Sequence, residues 1–259
     1  IVYDLILEKG EMTLKEITYF TGFTSSVVQS LLKKGAIVCV KSQQNQMLID
    51  AAMQSVKQSN ITLTSEQQKV YDQLRAKYRD NKSTVSVLYG VTGSGKTSVF
   101  MKLIDDVILD DKSVIVMVPE IALTPQMLSI FVDKFGKNIA VFHSALSDKE
   151  RLAQWDLVRK GIVRIVIGTR SAVFAPVKNL GLIIMDEEQE GSYKSDFSPK
   201  FHTRDIAKFR VAQTKSLLLL SSATPSLSTF FYAKKGIYSL HKLTHRFAKA
   251  KLPEVAIVD

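Results

Sequence analysis

Cysteine is nearly absent from this chain. Cys39 stands alone among 259 residues, so neither an internal disulfide nor a cysteine-held zinc site can be built. Long apolar runs are missing too: stretches such as Leu217 to Leu220 fall far below the roughly 18 residues a membrane span requires. Twelve glycines and six prolines are too few for a collagenous or low-complexity chain. No charged-then-apolar leader opens the sequence, and a cytoplasmic protein without membrane contact is expected. The chain starts at Ile1 rather than at Met and stops at Asp259 after the strand-like run Val255 to Val258, as expected of a piece of a longer protein.

What is present is the composition of a folded domain, 46% hydrophobic and 23% charged. Lys and Arg number 35 against 25 Asp and Glu, a net charge of +10 that favours polyanionic partners. Residues 1–60 carry 6 basic and 5 acidic groups, residues 61–189 carry 17 and 15, and residues 190–259 carry 12 and 5. The excess therefore sits in the last quarter.

Residues 1–60 read as a small winged-helix-like module and a linker. Leu14, Ile17, Tyr19 and Phe20 keep helical spacing, Gly22 breaks it, and Thr24 to Ser26 offer an N-cap before Val27, Val28, Leu31 and Leu32. Gly35 ends that helix, and Ile37 to Val40 suit one strand of a wing. The second helix would offer a groove only Gln29, Lys33 and Lys34, so packing or loose phosphate contact is expected rather than sequence readout. Gln43 to Gln46 is a polar stretch, and Lys57 to Asn60 reads as the linker.

From Ile61 onward, apolar β-branched runs alternate with helical patterns. The strands expected are Thr84 to Tyr89, Val114 to Val118, Ile139 to Phe142, Val163 to Ile167, Leu182 to Met185 and Leu217 to Leu220. Helices are expected over Ser98 to Leu109, Pro125 to Phe135, Asp148 to Lys160 and Thr203 to Ala212. Runs that are apolar throughout belong to strands covered on both faces, so the class is α/β with a mainly parallel sheet.

Gly90 to Thr97, GVTGSGKT, has the spacing of a phosphate-binding loop between a strand and a helix. Gly93, Ser94 and Gly95 would let backbone N–H groups curl around the phosphates of ATP, Lys96 would reach the outer phosphates, and the Thr97 hydroxyl would ligate Mg2+. Leu182 to Gln189 is an apolar strand ending in three acids. Adjacent carboxylates repel unless a cation offsets them, so Asp186 would hold Mg2+, through water, and Glu187 would orient or deprotonate the attacking water.

The tetrad Asp186-Glu187-Glu188-Gln189, followed one strand later by Ser222-Ala223-Thr224, resembles the helicase and translocase class, in which Ser222 and Thr224 would hydrogen-bond the Gln189 region. Four further blocks sharpen the likeness: Val118 to Gln126, Phe142 to Ser147, Ile167 to Pro176 and Ser222 to Leu227. Together they closely resemble the bacterial primosomal replication-restart helicases, the PriA family. The resemblance implies a RecA-like first motor lobe over residues 61–240 and a linker over 241–259 toward a second lobe. It implies ATP-dependent 3′-to-5′ DNA unwinding at forks, with single-stranded and forked DNA, primosome proteins and a single-stranded-DNA-binding protein as partners.

By the same resemblance, Gln67 in Leu63 to Gln67 would recognise the adenine edge. The loops of Pro119 and Glu120, and of Thr169, Arg170 and Ser171, would line the single-stranded DNA path. Tyr193, Lys194, Phe197, Phe201, His202 and Arg204 match the aromatic-rich loop that couples DNA contact to hydrolysis, and exposed aromatics among cations suit base stacking. Lys96, Glu187 and Gln189 would be the catalytic set. The family tetrad usually ends in His, whereas Gln189 cannot titrate. The paired-cysteine zinc module, the 3′-end-binding domain and the second lobe with its arginine finger are not in this stretch, so zinc is expected only in a further C-terminal part. The alternatives are another superfamily-two fork-remodelling translocase and a non-catalytic DNA- or protein-interaction module.

Overall fold

The six apolar runs expected from the sequence become strands of one sheet between two covering layers, and a seventh strand, at the sheet edge, has only one buried face. The computed structural model describes residues 2–9, 14–38, 61–143, 146–196 and 198–246. The strands are β1 (Thr84–Gly90), β2 (Ser113–Met117), β3 (Ile139–Phe142), β4 (Ile165–Gly168), β5 (Leu180–Asp186), β8 (Leu217–Ser222) and β9 (Ser239–Leu243). They form one sheet in the order β3-β4-β2-β5-β8-β1-β9, with every pair parallel. A second, two-stranded antiparallel sheet joins β6 (Lys194–Ser195) to β7 (Phe201–His202).

Helices cover both faces. The apolar faces of α4 (Ser65–Arg79), α5 (Lys96–Leu109) and α6 (Pro125–Phe135) bury Leu74, Phe100, Leu103, Ile104 and Phe131 against one side of the sheet. On the other side, α7 (Asp148–Lys160), α8 (Thr203–Thr214) and α9 (Leu227–Lys234) bury Val158, Ala207, Val211 and Ala233. Burying a large aliphatic or aromatic side chain contributes roughly 1.5–3 kcal/mol, so the two layers explain why strand residues such as Val114 to Met117 need no polar alternation. Capping fixes the helix starts. Thr64 and Gln67 form a reciprocal box on α4, and Ser147 and Glu150 form another on α7.

Parallel pairing brings all the strand C-termini to one edge. Register places Asp186 beside Ser221 and Tyr89 beside Ser222, so β8 runs between the strand that feeds the phosphate loop and the strand that carries the acids. Strands lie about 4.8 Å apart, which sets the ends of β1 and β5 about 10 Å from each other with the β8 serines between them.

The residues divide into two compact units, Ile1–Met47 and Leu48–Asp259. In the first, α1 (Val2–Lys9), α2 (Leu14–Thr21) and α3 (Ser25–Lys33) pack Val2, Ile17 and Val28 into a small core. Ile37 and Val38 are not in a strand, while Cys39 and Val40 of the expected wing lie outside the described residues. So do the polar stretch 43–46, the linker 57–60, Ser144 and Ala145, and residues 247–259. Beyond residue 60, α4, α9, the β6–β7 hairpin and β9 are not among the expected elements, and the last three residues of β9 pass the boundary expected at 240.

Candidate active site

β1 ends at Gly90, and α5 begins at Lys96. The intervening turn demands glycine at two points. Gly93 and Gly95 take φ of +78° and +80°, and a β-carbon on Gly95 would strike the Gln67 amide nitrogen, whereas one on Gly93 would meet open space. Lys96 is nearly buried and its Nζ donates to the Gly90 carbonyl at 2.9 Å. An ammonium held on a neutral carbonyl can exchange that partner for a phosphate oxygen, a stronger, charge-assisted one. Gln67 is 2% exposed. Its Oε1 accepts from the Thr64 N–H at 3.0 Å and its Nε2 donates to the Ser94 carbonyl at 2.9 Å, so it locks α4 to the phosphate loop and keeps one proton and one lone pair spare.

A cavity of about 350 Å³ opens in front of this loop, lined by Thr62, Thr92, Gly93, Gly95, Lys96, Thr97, Ser98, Asp186 and Glu187. Across it, Asp186 Oδ1 accepts from Ser221 Oγ at 2.7 Å. Burial pushes the Asp186 carboxyl above its ordinary range; the Ser221 bond and Lys96 oppose that push, and the Glu187 charge adds to it. Glu187 itself takes φ of +45°, a left-handed conformation that costs a non-glycine residue about 1 kcal/mol or more and that clusters at functional sites. The positive-φ glycines, the single ammonium, the hydroxyl and the two carboxylates are the donor set that a nucleoside triphosphate and its magnesium ion call for, and these residues fit both.

From the acids a directed chain of hydrogen bonds leads to β8. Gln189 Nε2 donates to Glu187 Oε2 at 3.0 Å, Ser222 Oγ donates to Gln189 Oε1 at 2.6 Å, and the Thr224 N–H donates to Ser222 Oγ at 2.8 Å. The bond expected from Ser222 is present. Thr224 takes part through its backbone rather than its hydroxyl.

The family of ATPases to which such a site points is settled by comparison. The DEAD/DEAH box helicase family matches residues 64–230. This chain belongs to the DEAD/DEAH box helicase family. Within that wider group, it is 38% identical over 246 residues to replication restart protein PriA of Bacillus subtilis (strain 168), covering 94% of this chain and 30% of that protein. PriA of Chlamydia muridarum (strain MoPn / Nigg) is 39% identical over 249 residues, covering 96% and 33%. The chain thus spans about a third of the length of these relatives. The crystal structure of DUF1998 helicase MrfA bound to DNA and AMPPNP covers 77% of this chain and 29% of its own at a TM-score of 0.50 and 17% identity, a likeness of fold.

The residues expected on the DNA side of this DEAD/DEAH box lobe divide into two groups. Thr169, Arg170 and Ser171 follow β4 at the same sheet edge as the cavity, and Arg170 Nη1 donates to the Lys194 carbonyl at 3.0 Å, joining that loop to the hairpin. Lys194 is exposed, and Phe201 packs edge-on against the half-exposed ring of Phe174 at 5.1 Å. Phe197 lies outside the described residues.

Tyr193 requires a correction: it is fully buried, not an exposed stacking ring. Its hydroxyl sits 2.6 Å from the Asp186 carbonyl and 3.0 Å from that of Met117, and burial drives its pKa far up. Apolar packing on the strand side claimed an aromatic that the loop composition suggested was free. His202 caps α8, its Nδ1 accepting from the Arg204 N–H at 3.2 Å, and burial holds its pKa below the ordinary value. Arg204 turns away from solvent to pair with Glu188. Sequence alone does not single out Glu188, Ser221 and Ser226; the third acid of the tetrad is the available signal, since a buried charge beside other carboxylates must find a partner.

Proposed function

We propose that this chain is the first motor lobe, preceded by a winged-helix-like module, of an ATP-dependent 3′-to-5′ DNA helicase of superfamily two that acts in replication restart and primosome assembly. The module would span residues 1–60, the RecA-like lobe 61–240, and the passage toward a second lobe 241–259. One observation carries this reading: the bond chain from Glu187 through Gln189 to Ser222 and Thr224, which ties the hydrolytic carboxylate to the strand end beside the candidate DNA loops.

In this mechanism the N–H groups at the start of α5 and the Lys96 ammonium bind the triphosphate of ATP. Thr97 and Asp186 would hold magnesium, which draws charge from the terminal phosphoryl group. Glu187, fixed by Gln189, orients the attacking water and accepts its proton. Single-stranded DNA would lie along residues 169–171 and the 194–202 hairpin, so that its engagement moves the same hydrogen-bonded edge. Forked DNA, primosome proteins and a single-stranded-DNA-binding protein are the partners proposed for the intact protein, in a cytoplasmic, nucleoid-associated setting, with zinc in a further C-terminal part.

A second lobe's arginine finger can supply roughly 10³ to 10⁵ in rate in related enzymes, so this chain alone should bind nucleotide with negligible turnover and no processive unwinding. Titration of a fluorescent ATP analogue with Mg2+, on this chain and on Lys96→Ala, tests the site. Binding abolished by the substitution supports the reading; equal binding by both refutes the assignment of the phosphate loop.

A further inference from the structure

The third acid of the tetrad takes no part in lining the nucleotide cavity. Glu188 is 2% exposed, yet its carboxylate is fully engaged. Oε1 accepts from the Ser226 N–H at 2.7 Å. Oε2 accepts from Ser226 Oγ at 3.2 Å, Thr229 Oγ1 at 3.1 Å and Arg204 Nη1 at 3.2 Å. Arg204 in turn donates from Nη1 to Ser226 Oγ at 3.1 Å and to Thr229 Oγ1 at 2.8 Å, and from Nη2 to Ser228 Oγ at 3.1 Å. A buried ion pair is thus enclosed by three hydroxyls from the first turn of α9.

The three segments that meet here are the ones a motor must keep in step. Glu188 follows Glu187 in the chain, and its N–H donates to the Ser221 carbonyl at 3.1 Å. Arg204 stands in the first turn of α8, directly after the hairpin that carries Lys194 and Phe201. Ser226 is the N-cap of α9 and lies two residues beyond Thr224. The other end of the hairpin is tied to the same acids, because the Tyr193 hydroxyl reaches the Asp186 carbonyl and Thr203 Oγ1 donates to the Tyr193 carbonyl at 2.8 Å. A displacement of the hairpin pulls on Glu188, and through it on Glu187: the guanidinium fork has a fixed geometry, and the Glu188 side chain has no exposed surface at which water could replace its bonds.

We propose that Glu188 and Arg204 are positioning residues that carry engagement of single-stranded DNA at the hairpin into the placement of Glu187 and Gln189. This rests on the helicase reading. Neither group touches nucleotide in this role, so the pair sets how far DNA accelerates hydrolysis and leaves the binding of ATP to the phosphate loop. Lysine in place of Arg204 keeps the charge but loses the two-pronged contact with Glu188 and the hydroxyls.

The test uses the full-length protein, with steady-state ATP hydrolysis measured without DNA and at saturating single-stranded DNA, for wild type, Arg204→Lys, Glu188→Gln and the double variant. The ratio of DNA-stimulated to DNA-free kcat is expected to fall about tenfold in each single variant, the size expected from losing one well-formed charge-assisted contact, while KM for ATP stays within about twofold. The double variant should fall no further than the singles, because one linkage is broken each way. An unchanged ratio, or losses that multiply in the double variant, overturns the proposal. Where these variants fail to fold, Ser228→Ala, which removes one exposed prong, takes the same measurement with an expected fall of about threefold, and no fall overturns it. Wild-type protein without DNA stimulation overturns the helicase reading together with this inference, whereas stimulated wild type with unaffected variants overturns the inference alone.

Discussion

His241 lies on the edge strand β9, beside the strand that feeds the phosphate loop, and is 5% exposed. Its Nδ1 sits 3.0 Å from Gln73 Oε1, and its Nε2 is buried without a partner among the described residues. Protonation would bury a charge and leave a second N–H with no acceptor. Burial, and then the nearby Lys77 charge, lower its pKa from 6.5 to about 4. The unfolded chain therefore takes up a proton at a pH where the fold resists it, so the stabilisation is complete above about pH 6.5 and is lost as the pH falls toward 4. The full loss is about 3 kcal/mol, of which about 2 kcal/mol falls between pH 7 and pH 4.5. Glu66 acts in a lower window. Burial works against its carboxylate, but bonds from Thr244 and His245 outweigh that and hold it at about 2, so its contribution is lost only as the pH falls below the ordinary 4.5. Urea unfolding followed by the fluorescence of Trp155, the single tryptophan, reads the unit that carries His241 directly. Wild type should lose about 2 kcal/mol more than His241→Gln on going from pH 7 to pH 4.5, and a parallel decline of the two proteins would refute the reasoning.

Gln189→Leu should cut the DNA-stimulated kcat of the full-length protein by tenfold or more, with nucleotide affinity nearly unchanged, because it frees Glu187 and strands the buried Ser222 hydroxyl; about 1.5–3 kcal/mol is at stake in the bond to the carboxylate. A KM effect without a kcat effect would contradict this. Tyr193→Phe should cost about 1–3 kcal/mol of stability in urea titration, by leaving buried carbonyls short of a donor. A base-stacking residue would lose no stability on that change.

Most of the sheet was legible because its strands advertise themselves. Val114 to Val118 and Leu217 to Leu220 are apolar at every position, which only a doubly covered parallel strand explains. β9 was hidden by its charges: the expected linker begins at His241, just before the basic run from Lys242, but an edge strand needs only one buried face and tolerates Lys242 on the other. The loop geometry of the candidate nucleotide site was legible for a different reason. Backbone cradling of phosphate demands glycines at set spacings, and those survive any tertiary context. The surroundings of the candidate DNA-side residues were not, since exposure cannot be read from a loop's composition. Tyr193 and Arg204 look like surface residues until β5 and α9 are placed against them.

Gln189 at the end of the tetrad has a further consequence, which follows from the polarity of its bonds. A carboxylate can only accept, so the end of Gln189 that faces Glu187 is the NH2, and the end that faces Ser222 is the carbonyl. Ser222 must then donate to Gln189, and its lone pair takes the Thr224 N–H. Every proton in the chain points toward Glu187, which makes the carboxylate the terminus of a cooperative series anchored on backbone at Thr224. A histidine here would carry one or two donors according to pH, and its neutral form could reach Glu187 with either tautomer. The amide has one arrangement at all pH values. The pH dependence of hydrolysis should therefore be set by the acids themselves and not by the fourth residue of the tetrad, and a Gln189→His protein whose kcat profile gains a limb near pH 6.5 would show the difference between a linkage that titrates and one that does not.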